Sequence, residues 1–567
     1  MSVRFRLVGR NAGVLLGVAS LALTAACGGS TATKKNTAAK GTKGGTLYYL
    51  SISDFEHLDP ARNYVTDSGD FSRLLYRTLT TYKSAPGLEG TKVVPDLATD
   101  LGTPSEGNKV WKFTLKQGLK YEDGTEIVAA DVKYGVERTF SELLPEGAPY
   151  IHQSLVNTEK YTGPYTDKAK KGISSIETPD KYTIIFHFTK PFSDFSYAAA
   201  LPGTAPVPQT KDTGVKYDAR PFSSGPYKID TYVRGKSIKL IRNPFWDPKT
   251  DSARGAFPDV IEGSLGLDEA SIDQRLLADN GDDQAAITFT ALTPESIARA
   301  KTTPSIKSRL ETGLDGGVYY AALNTARNAT KNLKVRQAIE YAYPRKDQLT
   351  AAGGVTIGDP AHGVLVPTLP AHHDFNLYPS PNDNGDPDKA KALLAEAGFP
   401  NGVSVTYGAS TSATAQKVAA VVKQGLAKAG IKVTIISIDP SKFYDTIGTP
   451  ATQPDIVGYG WIPDWPSAST VLPPLFTCEA IKPQGNNNVA NYCNKDFDAK
   501  IAEAGSLADQ TKADVIYAEL DKKLLEDAAV VPRFFSKTAN VHGSLVKNTY
   551  PELPFGGQID IANVSVK

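Results

Sequence analysis

"GDPDKAKALLAEAGFPNG", Gly385 to Gly402, reads as one complete helix with both ends marked. Asp386 supplies a side-chain acceptor for the first free N–H groups. Pro387 suits the first turn, where its missing donor is not needed, and Gly398 stops the helix by taking a left-handed backbone. A little further on, "ATAQKVAAVVKQGLAKAGIKVTIISID", Ala413 to Asp439, carries apolar residues at helical spacing and then switches to strand character. A helix followed at once by a strand is the rhythm of an α/β protein.

Working outward, the rhythm repeats. "GTLYYLSI" (Gly45 to Ile52) predicts a strand, "DSGDFSRLLYRTLT" (Asp67 to Thr80) a helix capped at Asp67 or Ser68. "VWKFTLKQGLKYEDGT" (Val110 to Thr125) alternates and then turns at Asp123-Gly124, and "TEIVAADVKYGVERTF" (Thr125 to Phe140) follows as a helix. "KYTIIFHFTKP", "GPYKIDTYV" and "SIKLIRN" are further strands, and "SSGPY" (Ser223 to Tyr227) is a turn that needs Gly225 for its backbone angles. There is no internal repeat. A chain of 567 residues exceeds what one hydrophobic core supports, so two domains or one large composite are expected. At 41% hydrophobic and 22% charged, with a net charge of +1, the composition is globular and offers no basic footprint for nucleic acid. With 26 tyrosines and Met1 as the only methionine, it suits an exposed, oxidising compartment.

The N-terminus explains that compartment. Arg4, Arg6 and Arg10 precede the short apolar run "NAGVLLGVASLALTAA", Asn11 to Ala26, which falls short of the ~20 residues of a membrane span and has the layout of a signal peptide. Its end, "LTAAC", resembles the bacterial lipoprotein signal, in which the cysteine, here Cys27, becomes the acylated first residue. The expectation is a signal peptide at 1–26, a flexible Gly/Ser/Thr/Lys-rich tether at 27–44, and a position on the extracytoplasmic face of the cell membrane. With Cys27 so used, Cys478 and Cys493 remain, an even pair in an oxidising place, and a disulfide across the polar loop between them is expected.

Catalytic signatures are missing. There is no nucleophile elbow, zinc-protease helix or phosphate loop. The single Asp212-Thr213-Gly214 lacks the second carboxylate that aspartic-protease chemistry needs. His372-His373 is a poor chelate, and the "GDPD" near Asp383 lacks calcium-loop spacing. No enzyme, cofactor or metal site is expected.

"FTLKQGLKYEDGTEIVAADVKYGVER", "SSGPYKI", "LIRNPFWD", "VYYAALNT", "VRQAIEYAYPR" and "DPDKAKALLAEAGFPNG" occur in that order. Together they resemble the large extracytoplasmic solute-binding proteins of ABC importers, family 5, and within it the oligopeptide- and dipeptide-binding lipoproteins. The resemblance implies an α/β, two-lobed periplasmic-binding-protein-like fold of type II with an extra subdomain and a ligand cleft between the lobes. It places the crossings near Gln284 to Pro294 and Ala528 to Ser536, with lobe one at 45–286 plus 532–567 and lobe two at 287–531. It implies a monomer that hands a peptide, or alternatively an oligosaccharide, opine-like compound or metal chelate, to membrane permease subunits.

The same resemblance points to "GYGWIPDWPSAST", Gly458 to Thr470. "GWIPD" is similar to the family segment in which an acid, here Asp464, takes a peptide's α-ammonium. Trp461 would add cation–π attraction, and the backbones of Gly460 and Ile462 would pair with an extended ligand. Pro463 and Pro466 depart from the pattern because they cannot donate. Trp465 is large for its place, and core packing of both tryptophans is the competing reading. Phe55, Phe534 and Phe535 are further candidates on position.

Overall fold

The computed structural model describes residues 41–439, 442–507 and 509–567. The expected signal segment 1–26, Cys27 and the tether as far as residue 40 lie outside them. Two sheets organise the rest. The first has five strands in the order Ala286–Thr288, Thr46–Leu50, Val260–Ser264, Ser237–Arg242 and Tyr227–Val233. Thr46–Leu50 runs parallel to both of its neighbours. Its aromatic and aliphatic residues Leu47 and Tyr49 enter a core shared with Phe55, Phe71 and the C-terminal Ile559, Ile561 and Val564.

The second sheet has six strands, ordered Gly358–Pro360, Val530–Val541, Leu310–Leu323, Ile456–Trp461, Val403–Ser410 and Ile431–Ile438. Helices cover both faces, with separate apolar clusters on each. A smaller four-stranded sheet, including Val110–Thr114 and Thr183–His187, has its own aromatic core around Trp111, Phe113, Phe186 and Phe195. The long strand Leu310–Leu323 and the return strand Val530–Val541 span two cores. Val541 packs with Leu50 and Ile272 beside the first sheet, while Val318, Tyr320 and Val530 pack in the second.

Local signals worked where the fold left them alone. The helix Pro387–Glu396 starts at Asp386, whose side chain accepts from the Lys389 N–H at 3.1 Å, and Gly398 has φ +89°. The helix Ala413–Ala427 leads into the strand Ile431–Ile438. The expected helix over 67–80 differs: it spans Thr66–Ser72 only. The carbonyls of Leu74 and Leu75 are taken by the N–H groups of Tyr227, Ser224 and Gly225, so the "SSGPY" turn claims the backbone a longer helix would use. Gly225 is required there for close approach rather than for a left-handed φ, since a Cβ would lie 2.7 Å from the Leu74 carbonyl oxygen. The helix expected over 125–140 is Ala129–Arg138.

Candidate ligand-binding cleft

The site begins with a strand that has one open edge. Ile456–Trp461 pairs along its length with Leu310–Leu323, but on its other side it meets Val403–Ser410 only at Ile456 and Val457. From Gly458 onward that edge has no partner strand among the described residues. Alternation sends Trp461 toward the helical core, where its Nε1–H donates to the Thr470 carbonyl at 2.7 Å. Gly458 and Gly460 lie on the opposite face and leave it clear. A Cβ at Gly460 would meet the Tyr319 ring at 2.7 Å.

Past the strand, Ile462 is 52% exposed and Pro463 turns the chain toward Asp464. The Tyr64 hydroxyl donates to the Asp464 carboxylate at 2.6 Å, and the Tyr150 hydroxyl donates to its second oxygen. Burial pushes the Asp464 carboxyl up, opposed by these two hydrogen bonds. It has no cationic partner among the described residues. Trp465, 4% exposed, is buried with the aromatic core of the four-stranded sheet, edge-on to Tyr150 at 4.8 Å. Its Nε1–H donates to Asp194 at 3.2 Å. The loop therefore reaches out of the second sheet's region and is pinned into the aromatic core of a different sheet.

Two cavities flank the strand end and Asp464, and a third of about 890 Å³ lies further along, lined by Trp465, Ser469, Tyr150 and Asp194. Asp464 and Ile462 face one of about 140 Å³, together with Tyr64, Tyr76, Arg73 and Phe555. Arg73 is already shared by Asp70, Glu552 and Asp560, and burial pushes the Asp70 carboxyl up to about 7. Gly458 and Gly460 face the other, of about 480 Å³, with Asp315, Tyr319, Arg533 and Phe534. Burial raises the Asp315 carboxyl against hydrogen bonds from Ser536 and Gly317. Among the described residues no group of three or more His, Cys, Asp or Glu is placed to hold a metal.

A family model described as "Bacterial extracellular solute-binding proteins, family 5 Middle" matches residues 92–483. The chain belongs to this family. It is a family 5 solute-binding protein of an ABC importer, with the family's two-lobed α/β fold. This solute-binding protein is 27% identical to the glutathione-binding protein GsiB of Escherichia coli K12 over 513 residues, covering 86% of this chain and 89% of that one. Its structure resembles that of clavulanic acid biosynthesis oligopeptide binding protein 2, with TM-score 0.86, 34% identity and coverage of 93% and 96%. It also shares its fold with the unliganded open form of the periplasmic murein tripeptide binding protein MppA, with TM-score 0.76, 21% identity and coverage of 93% and 98%.

The residues singled out in the sequence thus separate. Asp464 and Ile462 share the smaller cavity, and Gly460 and Phe534 share the larger. Trp461 is half-buried against the helical core. Phe55 is packed on Phe71 at 4.3 Å inside the first sheet's core and lines neither cavity, and Phe535 is likewise core. Cys478 and Cys493 are joined, with Cα atoms 4.5 Å apart. Tyr64, Tyr150, Asp315, Tyr319 and Arg533 are the residues that sequence reasoning missed. The two phenols lie 400 and 314 positions from Asp464, and no local pattern announces them. Among the described residues no helix is long and apolar enough to cross a membrane.

Proposed function

We propose that this protein is a non-catalytic receptor, held by lipid on Cys27 at the extracytoplasmic face of the membrane, that captures peptides and passes them to the permease of its importer. The observation that carries the reading is Asp464: a desolvated carboxylate whose partners are two phenols rather than a cation, beside a strand edge free to pair. A peptide's α-ammonium supplies the missing charge, and its backbone adds to the open edge at Gly460 and Ile462. Phe534 contributes aromatic surface, while Trp461, Trp465 and Phe55 act by fixing the walls. The two lobes, 45–286 with 532–567 and 287–531, close about the paired long strands, and the packing of the helices Pro294–Thr302 and Pro304–Lys307 beside the first sheet supports moving the first crossing to Leu310–Leu323.

The test is a cycle of two changes. Asp464→Asn removes the charge and keeps the shape, which should cost about 2–5 kcal/mol of peptide affinity. N-acetylating the peptide should weaken wild-type binding similarly. Combining the two should cost far less than their sum, because both delete one interaction. Additive losses in calorimetry sink the ammonium pocket, and binding of sugars or chelates in place of peptides selects the alternative ligands. Separately, Cys27→Ala should abolish labelling by fatty acid, and a labelled variant would exclude the anchor.

A further inference from the structure

Asp194 stands at the head of the short helix Phe195–Ala198, the place where an aspartate side chain ordinarily caps the first turn. Here it makes no capping bond. The carboxylate is turned instead toward the segment that follows Asp464. Its Oδ2 accepts from the Trp465 Nε1–H at 3.2 Å and from the Ser469 hydroxyl. Its Oδ1 accepts from nothing among the described residues, although the atom is buried and the residue is 3% exposed. A buried carboxylate oxygen without a donor is rare in folded proteins and costly to keep.

No cation answers this acid. Asp194 has no ion-pair partner among the described residues, and the two lysines that share its 890 Å³ cavity are engaged elsewhere, Lys190 with Glu479 at 3.8 Å and Lys495 with Asp498 at 3.3 Å. Asp514, on the helix Gln510–Glu526, adds negative charge instead of offsetting it. Burial, reinforced by the charge of Asp194, pushes its carboxyl up to about 6. The helix Lys495–Ser506 forms another wall of the cavity, and its Gly505 faces open space, since a Cβ there would meet nothing within 4 Å. Glycine weakens a helix relative to alanine. No contact requires it here, so what it contributes is room.

The chemistry of the lining selects the occupant. One free carboxylate oxygen offers a metal ion too few ligands, and among the described residues no group is placed to hold one. That oxygen is the right acceptor for an N–H of an ammonium, a charge-assisted bond that also supplies the missing positive charge. Phe192, Trp465 and Tyr517 place aromatic surface around the acid, against which a cation and its aliphatic stem are both favourable. We propose that this cavity is an accessory binding site for a primary alkylammonium ion, held on Asp194 Oδ1. It lies behind the pocket of Asp464 and not in it. Tyr150 borders the cavity and donates to Asp464, so an occupant sits next to the acid of the cleft while needing nothing from it.

Calorimetry on the whole protein compares pentylammonium, pentanol and trimethylpentylammonium. Pentylammonium should bind the wild type about tenfold or more tightly than pentanol. Trimethylpentylammonium has no N–H to give Oδ1 and should bind no better than pentanol. Asp194→Asn should erase the advantage of pentylammonium, whereas Asp464→Asn should leave it. Gly505→Trp fills the cavity and touches neither acid. It should block pentylammonium without lowering the melting temperature, which keeps the test decisive even where Asp194→Asn fails to fold. Equal binding of pentylammonium and pentanol by the wild type overturns the site, as does equal binding of the trimethyl ion or binding that survives Gly505→Trp. A preference lost in Asp464→Asn and kept in Asp194→Asn overturns it too, by placing the amine in the cleft, and leaves the proposed function standing.

Discussion

Asp464 and Arg533 are both buried charges at the ends of one strand's open edge, yet the protein treats them differently. Asp464 is oriented from within but not neutralised: two phenols from distant parts of the chain donate to it, and Trp465, its neighbour, is locked into a third sheet's core. Arg533 has a single side-chain hydrogen bond, to Gln348, whereas Asp315 across the stacked Tyr319 and Phe534 rings, like Asp464, accepts two. A satisfied charge holds the structure in a defined place, whereas an unsatisfied one stores a cost that only a ligand relieves. The first cavity therefore holds its acid at a joint between sheets, and the second holds its arginine on a strand bulge.

The strongest way to break this contrast is Trp465→Ala. It removes a fully packed indole and its hydrogen bond to Asp194, and should cost about 3–5 kcal/mol in denaturant unfolding. Arg533→Gln, by contrast, should leave ligand-free stability unchanged or raise it, because the charge it removes has no partner. If both variants lose stability alike, Arg533 is a structural residue and the contrast is wrong.

Next in size is the loop Cys478 to Cys493. Serine at either cysteine opens a loop with a sequence separation of 15, for which the chain-entropy picture gives about 3 kcal/mol. The loop is also held by side chains. Asn488 bonds the carbonyls of Thr477 and Tyr492 and accepts from the Tyr492 N–H, while Asn491 donates to Gln453 at 2.6 Å. The double serine variant should therefore unfold at lower denaturant but keep its native spectrum, and a loss well below ~1 kcal/mol would mean that the asparagines suffice.

Gly460→Ala tests the open edge itself. A methyl 2.7 Å from the Tyr319 ring must displace it, at about 1–3 kcal/mol. Because that ring is one wall of the larger cavity, peptide affinity should fall as well. Unchanged affinity would place the ligand elsewhere.

These residues differ in how far the sequence announces them. The helix behind Asp386, the strand after Ala427 and the cysteine pair are short-range events, and the amino acids that cause them are adjacent or few. The helix from Thr66 ends early because its carbonyls are claimed by residues about 150 positions away, which no local propensity encodes. Asp464 stands out by its tryptophans, but its phenolic partners come from a loop and a short helix hundreds of positions away. Arg533 sits beside the noted Phe534, and Pro532 is a readable cause of a bulge. That the bulge faces Asp315 follows only from the register of two strands some 200 residues apart.

The smallest expected effect is also the most direct reading of Asp464. Its carboxyl is pushed up by burial, while the unfolded chain keeps the ordinary value near 3.9. Between those two values the ligand-free folded protein holds a proton that the unfolded chain has released, so its stability falls as pH rises through that window, by at most about 1.4 kcal/mol per pH unit. Asp70, Glu340 and Asp521, each pushed up to about 7 by burial, bend the curve in the same sense. The quantity to follow is therefore the wild type minus Asp464→Asn, which should slope downward through the window and level off above it. A saturating peptide should reverse the sign, because an ammonium against the carboxylate pulls its pKa down and rewards ionisation. Denaturant titrations at several pH values from about 3.5 to 6.5, with and without peptide, give both curves. A difference that keeps its downward slope when peptide is bound would show that the phenols never yield Asp464 to the ligand, and that only the bulged side of the cleft does the binding.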